Sequence, residues 1–206
     1  MVIAFFAGHG LLDGKAGYFF ATADMQFDDP ARRSLSFEAL DGLLAGLRAR
    51  HRLILLDTCA AGETDEDEVA RKSGQVAAGV AVASRGIKRA AAPVPAATEL
   101  LLTRELFANL RRGSGASIIG SSSGVEYAFE SSKLSNGVFT HALLAELSDL
   151  ADFPKDYTVA TLEWKVGERV ELLTGGLQHP VARQTNAEDD FLVWNTPVRK
   201  LRGRRK

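Results

Sequence analysis

The sequence predicts an α/β protein with a mostly parallel central sheet and helices on both of its faces. Leu53-Ile54-Leu55-Leu56 is an uninterrupted aliphatic run, too short for a helix and typical of a strand covered on both faces. Residues 2–7 and 116–121 are two further apolar runs of strand length. A segment with helical periodicity, residues 36–50, separates the first two runs. A strand–helix–strand order of this kind places its two strands in parallel.

The amino-terminal elements follow in order from this pattern. The first strand, over residues 2–7, is expected to be buried and ends in Gly8-His9-Gly10, whose glycines let the backbone pass close to its neighbours. Residues 18–22 indicate a strand or hairpin arm that ends near Asp24. Ser36 is a candidate N-cap for the next helix. The leucines of that helix fall at helical spacing and predict one apolar face: Leu40, Leu43, Leu44 and Leu47.

The region after the aliphatic strand is less regular. Residues 63–97 are acidic at first and then small and polar, which predicts a long, mobile loop. Residues 99–112 resume helical spacing, and residues 116–121 form the third buried strand. Asn136 and Thr158 are candidate N-caps of two more helices, the second of which should end at Gly175-Gly176. Residues 191–194 indicate a last strand.

Composition limits the possible functions. The 206 residues are 46% hydrophobic and 25% charged with a net charge of −1, so we expect one domain over residues 1–198 and no nucleic-acid partner. The basic residues 199–206 are expected to form a solvated tail. No apolar run approaches the roughly 18 residues of a membrane span, so no membrane partner is expected. The single cysteine excludes an internal disulfide and indicates a reducing compartment, the cytoplasm.

Two of the predicted strands end at chemically distinctive residues. His9 follows the first strand and Cys59 follows the second. In an open α/β sheet the carboxyl ends of the strands border the crevice that holds the chemistry. A lone cysteine after a buried strand is more often a small core residue than a nucleophile. A histidine between two glycines packs poorly in a core, so the pair is a candidate Cys–His nucleophilic site.

These segments resemble a known family. Residues 6–10, Phe-Ala-Gly-His-Gly, resemble the histidine motif of caspase-like peptidases of the C14 type. Residues 55–62 resemble their cysteine motif, in the Asp-x-Cys form of metacaspases, orthocaspases and other bacterial caspase-family proteins. His9 precedes Cys59 by fifty positions, about the separation typical of caspases. Residues 120–128 and 136–140 resemble the small-subunit region, so the resemblance covers most of the chain and implies the caspase–hemoglobinase fold.

The sequence departs from the family pattern at its start. Family members ordinarily carry a strand, a helix and another strand before the histidine strand, and this sequence begins at that strand. We therefore expect that the family's first strands are missing and that an upstream segment or regulatory domain, in this or another chain, completes the sheet. An uncovered sheet edge is otherwise an association hazard.

The resemblance implies a mechanism on protein or peptide substrates. Cys59 is the expected nucleophile, because a thiolate attacks carbonyl carbon and a nearby imidazole supports the thiolate. His9 is the expected general base, which later protonates the leaving amine. The backbone N–H groups of Gly10 and Cys59 are the expected donors to the oxyanion of the tetrahedral intermediate.

The resemblance also implies a specificity for basic residues. Asp57 and Cys59 project to the same side of an extended strand, about 7 Å apart. Metacaspase-like enzymes use the matching aspartate to bind arginine or lysine before the scissile bond. Asp24 is a candidate second carboxylate, and Ser121 and Ser122 are candidate wall residues. The alternative is that Asp57 only caps a turn through the N–H groups after Cys59.

Three alternatives stay open. The basic residues of the predicted loop are candidate self-cleavage sites, because caspase-type enzymes carry a processing linker there, or they are solubilising charges: Arg71, Lys72, Arg85, Lys88 and Arg89. The acidic residues 63–68 form a solvated loop or a calcium site, since some metacaspases are calcium-activated; no other metal or cofactor is expected. The whole chain is a peptidase or a catalytically silent caspase-like adaptor, and the presence of both His9 and Cys59 favours the peptidase.

Overall fold

The computed structural model describes residues 1–12, 17–26, 29, 31–58, 83–84, 116–122, 128–131, 133–148, 157–183 and 190–194. In chain order its strands and helices are β1 (Val2–Gly8), β2 (Gly10–Leu12), β3 (Tyr18–Phe20), β4 (Leu35–Ser36), α1 (Phe37–Ala45), β5 (Arg52–Thr58), β6 (Ala83–Ser84), β7 (Ala116–Gly120), β8 (Phe129–Glu130), α2 (Val138–Ser148), β9 (Tyr157–Thr158), α3 (Val159–Thr174), β10 (Val181–Arg183) and β11 (Leu192–Trp194).

Within the described residues, the central sheet consists of four strands in the order β1–β5–β7–β10. β1 and β7 both pair in parallel with β5, and β10 pairs antiparallel to β7. Every residue of β7 is buried, as is β5 from Leu53 to Thr58. The predicted mostly parallel sheet, with the aliphatic run as a covered central strand, is confirmed.

Helices cover both faces of β5, as predicted. On one face Ile54 and Leu56 pack with α1, through a cluster that includes Phe37, Leu40 and Leu44. On the other face Leu53 and Leu55 pack with α2 and α3, through a cluster that includes Phe139, Leu143, Leu162 and Val166. Burial of each such aliphatic side chain contributes about 1.5–3 kcal/mol, so the two helical layers fix the position of β5.

β1 differs from its prediction, because it lies at the edge of the sheet and is only partly covered. Ile3 is 43% exposed and Phe5 is 44% exposed. Both are in register with β5 residues that face α2 and α3. These two helices therefore do not cover Ile3 and Phe5 of β1. Ala4 and Phe6 point the other way and pack against the cluster on the α1 side. Apolar composition alone does not distinguish an edge strand from a central one.

The predicted caps of α1 and α3 are confirmed. The Ser36 hydroxyl accepts from the Ala39 N–H at 3.1 Å, and the Thr158 hydroxyl accepts from the Thr161 N–H at 3.3 Å. α3 ends at Gly175, which adopts the left-handed φ of 65° that favours glycine.

Two details of the helices were predicted wrongly. α1 ends at Ala45, so Leu47 lies beyond it, and Leu43 is 67% exposed. The α1 surface that faces the sheet is therefore narrower than four leucines at helical spacing suggest. α2 begins at Val138, and the carbonyl of Gly137 accepts from the His141 N–H at 2.8 Å. Gly137, one residue after the predicted Asn136, thus occupies the capping position.

The remaining elements form small sheets around this core. β2, β3 and β4 make an antiparallel sheet, which confirms the predicted hairpin arm after His9. β11 pairs with β9, and β6 pairs with β8. β6 falls inside the predicted loop over residues 63–97. The rest of that loop, the predicted helix over residues 99–112 and the basic tail lie outside the described residues. Among the helices that are described, none combines the length and apolarity needed to cross a membrane.

Tyr157 is 1% exposed and belongs to the core cluster that also contains residues of α2 and α3. Arg169 of α3 forms an ion pair of 2.6 Å with Glu146 of α2. The pKa of Tyr157 is raised to about 12, mainly by burial and also by the nearby Glu146 charge, while Arg169 opposes the shift. The folded protein therefore favours the neutral form of the Tyr157 phenol over the ionised form.

This pKa predicts a loss of stability at high pH. The phenol of an unfolded chain has a pKa of about 10, so its stabilising contribution is complete below pH 10 and is lost as pH rises towards 12. The free energy of unfolding, measured by urea titration from pH 8 to 11.5, should fall more steeply in wild type than in Tyr157→Phe. Parallel curves for the two proteins would show that Tyr157 is not the group responsible.

Candidate functional site

His9 directly follows β1, at the carboxyl edge of the parallel sheet. The last residue of β1, Gly8, is in register with Thr58, the last residue of β5. The carbonyl of His9 accepts from the Ala21 N–H at 2.9 Å, and Gly10 opens β2 opposite Phe20. The backbone on both sides of His9 is thus held in strands while its side chain stays exposed.

Gly8 has a φ of +153°, in the range that favours glycine. A Cβ added there would meet nothing within 4 Å. The expected close approach of a neighbour is therefore not found at Gly8. Glycine is needed for the backbone conformation that turns the chain from β1 into His9.

Cys59 itself lies outside the described residues, but the residue before it is held from two sides. Thr58 is buried at the end of β5. The Tyr18 hydroxyl of β3 donates to the Thr58 hydroxyl at 2.9 Å. The Ser121 hydroxyl donates to the Thr58 carbonyl at 3.2 Å. The hairpin that follows His9 and the end of β7 therefore both fix the chain immediately before Cys59.

Asp57 is fully buried. Its Oδ2 accepts a hydrogen bond from the Thr140 backbone N–H at 3.3 Å and another from the Thr140 hydroxyl. Thr140 lies in the first turn of α2, where backbone N–H groups lack partners inside the helix and the helix dipole favours a negative charge. The carboxylate is thus bonded to the start of α2. This contact differs from the alternative role predicted for Asp57, in which its carboxylate caps the turn after Cys59.

Ser121 and Ser122 are both buried where β7 ends. The Ser121 N–H donates to the Leu56 carbonyl at 2.8 Å, which extends the pairing of β5 and β7 by one residue and places Ser121 beside Asp57. The Ser122 hydroxyl has no hydrogen-bond partner within the described part of the chain.

Gln178, which sequence reasoning missed, ties the end of β7 to the segment after α3. The side chain is fully buried. Its Nε2 donates to the Ser121 carbonyl at 2.7 Å, and its Oε1 accepts from the Phe129 N–H at 3.0 Å. The amide thus satisfies one backbone group on each side of residues 123–127.

Asp24 lies in surroundings different from those of Asp57. It is exposed in the turn after β3 and accepts a hydrogen bond of 3.0 Å from the Thr22 hydroxyl. Asp57 is buried on the opposite side of the sheet from α1, against α2. The structure therefore brings Ser121 to Asp57 and leaves Asp24 on the hairpin.

Several predicted residues fall outside the described parts of the chain. These are the acidic run over residues 63–68 and the candidate processing residues Arg71, Lys72, Arg85, Lys88 and Arg89. Within the described residues, no three histidine, aspartate or glutamate side chains come together as a metal site. The calcium alternative and the self-cleavage sites remain predictions.

Tyr18 and Thr140 were missed together with Gln178, since all three act on the site from other elements. Tyr18 lies in an aromatic run that reads as ordinary strand, and Thr140 in a helix that reads as amphipathic. Their hydrogen bonds span 40 and 83 positions of sequence, so no local pattern reports them.

The chain is similar to known proteins at two levels. The family model described as a caspase domain matches residues 1–192. No curated protein matches the chain. Among solved structures, the crystal structure of protein GSU0716 from Geobacter sulfurreducens aligns with a TM-score of 0.54 and 14% identity, over 92% of this chain and 68% of that one. At this identity the structural likeness concerns the fold.

The conformation of Gly8 predicts opposite effects for two Gly→Ala changes. Gly8→Ala should lower the free energy of unfolding by about 1–3 kcal/mol, because alanine disfavours this positive φ. Gly42→Ala in α1 should raise it by about 0.5–1 kcal/mol, since its added methyl also meets nothing within 4 Å and alanine favours a helix. Urea unfolding of both variants measures this. Equal effects would contradict the role assigned to Gly8.

Proposed function

Because the chain belongs to the caspase-domain family, we propose that it is a cysteine endopeptidase in which Cys59 and His9 act as a catalytic dyad and which cleaves after arginine or lysine. The observation that carries this proposal is the register of β1 with β5. It aligns Gly8 with Thr58, so His9 and Cys59 each follow one of two adjacent, aligned strand ends.

The chemistry assigned to each residue follows from its type. The Cys59 thiolate attacks the scissile carbonyl, and His9 carries the proton that the thiol released. As the tetrahedral intermediate collapses, His9 gives that proton to the leaving amine, and a thioester links the substrate to Cys59. Water activated by His9 then hydrolyses the thioester. Backbone N–H donors from Gly10 and Cys59 are assigned to the oxyanion, each worth roughly 3 kcal/mol to the transition state.

The fold supports this assignment by holding the surroundings of the dyad rigidly. His9 lies between β1 and β2, and Thr58 is bonded to Tyr18 and Ser121. A nucleophile and base need a geometry that is held to within fractions of an ångström. Strand ends fixed by buried hydrogen bonds are better suited to this than free loops.

The proposed preference for arginine or lysine rests on Asp57. A buried carboxylate is costly unless a positive charge or several donors compensate it. Thr140 supplies donors, and Ser121 lies alongside. We assign the cationic side chain of the substrate as a further partner of this carboxylate, with the buried Ser122 hydroxyl as a further wall group. Asp24, exposed on the hairpin, is assigned a weaker contribution to attracting the cation.

Self-cleavage in residues 63–97 is a further part of the proposal. What supports it is the presence of the required residue types, Arg71, Lys72, Arg85, Lys88 and Arg89, within a segment of the composition expected for a processing linker. Cleavage there would be performed by the same dyad, so it depends on Cys59.

Substitution of the dyad tests the proposed activity. Cys59→Ala and His9→Ala should each reduce kcat/KM on an arginine peptide by at least about a hundredfold, because nucleophile and base are lost in turn. Intact-mass spectrometry should show cuts after one of the loop residues in wild type and none in Cys59→Ala. Ser148→Ala, on the exposed end of α2, serves as a control. Substantial turnover by Cys59→Ala would rule out the mechanism, and inactive wild type that folds normally would favour the adaptor alternative.

Substitution of Asp57 tests the proposed specificity. Asp57→Asn keeps the shape of the side chain and removes its charge. The transition-state stabilisation calculated from kcat/KM on arginine peptides should therefore fall by about 2–5 kcal/mol. Thr140→Val removes only a donor at α2 and should lower stability while the ratio of arginine to aspartate cleavage stays as in wild type.

The two variants separate the two roles of Asp57. If Asp57→Asn loses stability as Thr140→Val does and still prefers arginine to the same degree, then Asp57 only caps α2. Efficient cleavage after aspartate by wild type would likewise contradict the assigned preference.

A further inference from the structure

A cavity of about 280 Å³ lies directly beside His9, on the edge of the sheet. Its apolar lining includes Phe5, Phe6, Phe20 and Leu35, and Thr22 and Thr58 also line it. The rings of Phe6 and Phe20 are 5.7 Å apart. Of the described residues that line it, none apart from His9 has an ionisable side chain. The cavity is close to the lower end of the range of about 300–1,000 Å³ that holds a drug-sized ligand, so it suits a single large side chain.

The cavity lies along the edge strand β1, and Asp57 is not among the described residues that line it. Phe6 and Phe20 belong to the cluster between the sheet and α1. Asp57 is in register with Ala7 and bonds to α2. A substrate whose basic side chain reaches Asp57 therefore has a different residue next to His9.

The chemistry assigned to His9 identifies that residue. His9 protonates the amine nitrogen that leaves, and this nitrogen belongs to the residue immediately after the scissile bond. That nitrogen must therefore come within hydrogen-bond reach of the imidazole, which brings its residue close to His9. The cavity opens at this place, since His9 itself forms part of its wall.

We propose that this cavity, bounded by His9, Phe6, Phe20 and Leu35, is a binding site for an apolar or aromatic side chain on the residue that follows the scissile bond. The proposal rests on the proposed peptidase function and adds a second determinant of its specificity. Anionic side chains are rejected there, because the apolar walls remove their water and Asp24, which accepts a hydrogen bond from the lining residue Thr22, adds a like charge. The two determinants together select a basic residue followed by an apolar one.

A peptide series tests this site. Peptides that contain one arginine and differ only in the next residue, glycine, leucine, phenylalanine, aspartate or lysine, are cleaved by wild type and quantified by mass spectrometry. Leucine and phenylalanine should give a kcat/KM at least about tenfold above glycine, the factor typical of filling an apolar pocket. Aspartate should fall below both glycine and lysine.

Substitutions that place a charge at the rim of the cavity provide a matched set of variants. Thr22 is exposed and lines the cavity. Thr22→Lys should raise the ratio of aspartate to lysine cleavage by up to about fivefold, and Thr22→Glu should lower it similarly, as expected for an exposed ion pair. Gln26→Lys, exposed four residues later and outside the cavity lining, should leave the ratio as in wild type.

The outcomes separate this site from the function on which it rests. Cleavage after arginine that varies less than twofold with the next residue, and is insensitive to Thr22 charge, overturns the site and leaves the peptidase proposal standing. An equal shift in Gln26→Lys also overturns it, because the charge effect is then not local. No cleavage of any peptide removes the peptidase proposal and this site with it.

Discussion

The burial of β5 from Leu53 to Thr58 is the constraint on which the rest of this structure depends. A strand covered on both faces must satisfy its backbone groups through neighbouring strands, because an unpaired buried N–H or C=O costs about as much as a lost hydrogen bond. β1 and β7 meet this need in parallel, with α1, α2 and α3 packed on the two faces. Parallel strands end at the same edge of a sheet, so this arrangement gathers His9, Thr58 and Ser121 at one place.

Buried polar groups then connect this edge to the surrounding elements. Tyr18 reaches Thr58 from the hairpin, and Gln178 reaches Ser121 from the segment after α3. Thr140 reaches Asp57 from the start of α2. Each bond joins a residue near a strand end to a different part of the chain. Because buried donors and acceptors are costly when unpaired, these contacts restrict how the site can move.

The sequence predicted the parts of the fold that depend on local pattern. The aliphatic run of β5, the caps Ser36 and Thr158 and the stop at Gly175 are all visible from composition and spacing, and the structure confirms them. The exposure of Ile3 and Phe5 was not predictable in this way, because it depends on which helices extend over β1. The partners of Asp57 and Ser121 were not either, since they come from distant segments. The strand ends and the flanking glycines made His9 and Cys59 a candidate pair, the motif resemblance added the family, and their catalytic roles are still proposals.

The central claim is that His9 activates Cys59, and the rate of covalent labelling of Cys59 measures this directly. A peptide with a terminal arginine and an electrophilic ketone is added to wild type and to His9→Ala, and the adduct on the single cysteine is followed by intact-mass spectrometry. The account predicts a second-order rate constant at least about a hundredfold lower in His9→Ala, because the thiolate loses its supporting base. Equal rates in the two proteins, or a wild-type rate no higher than that of the urea-unfolded chain, would contradict it.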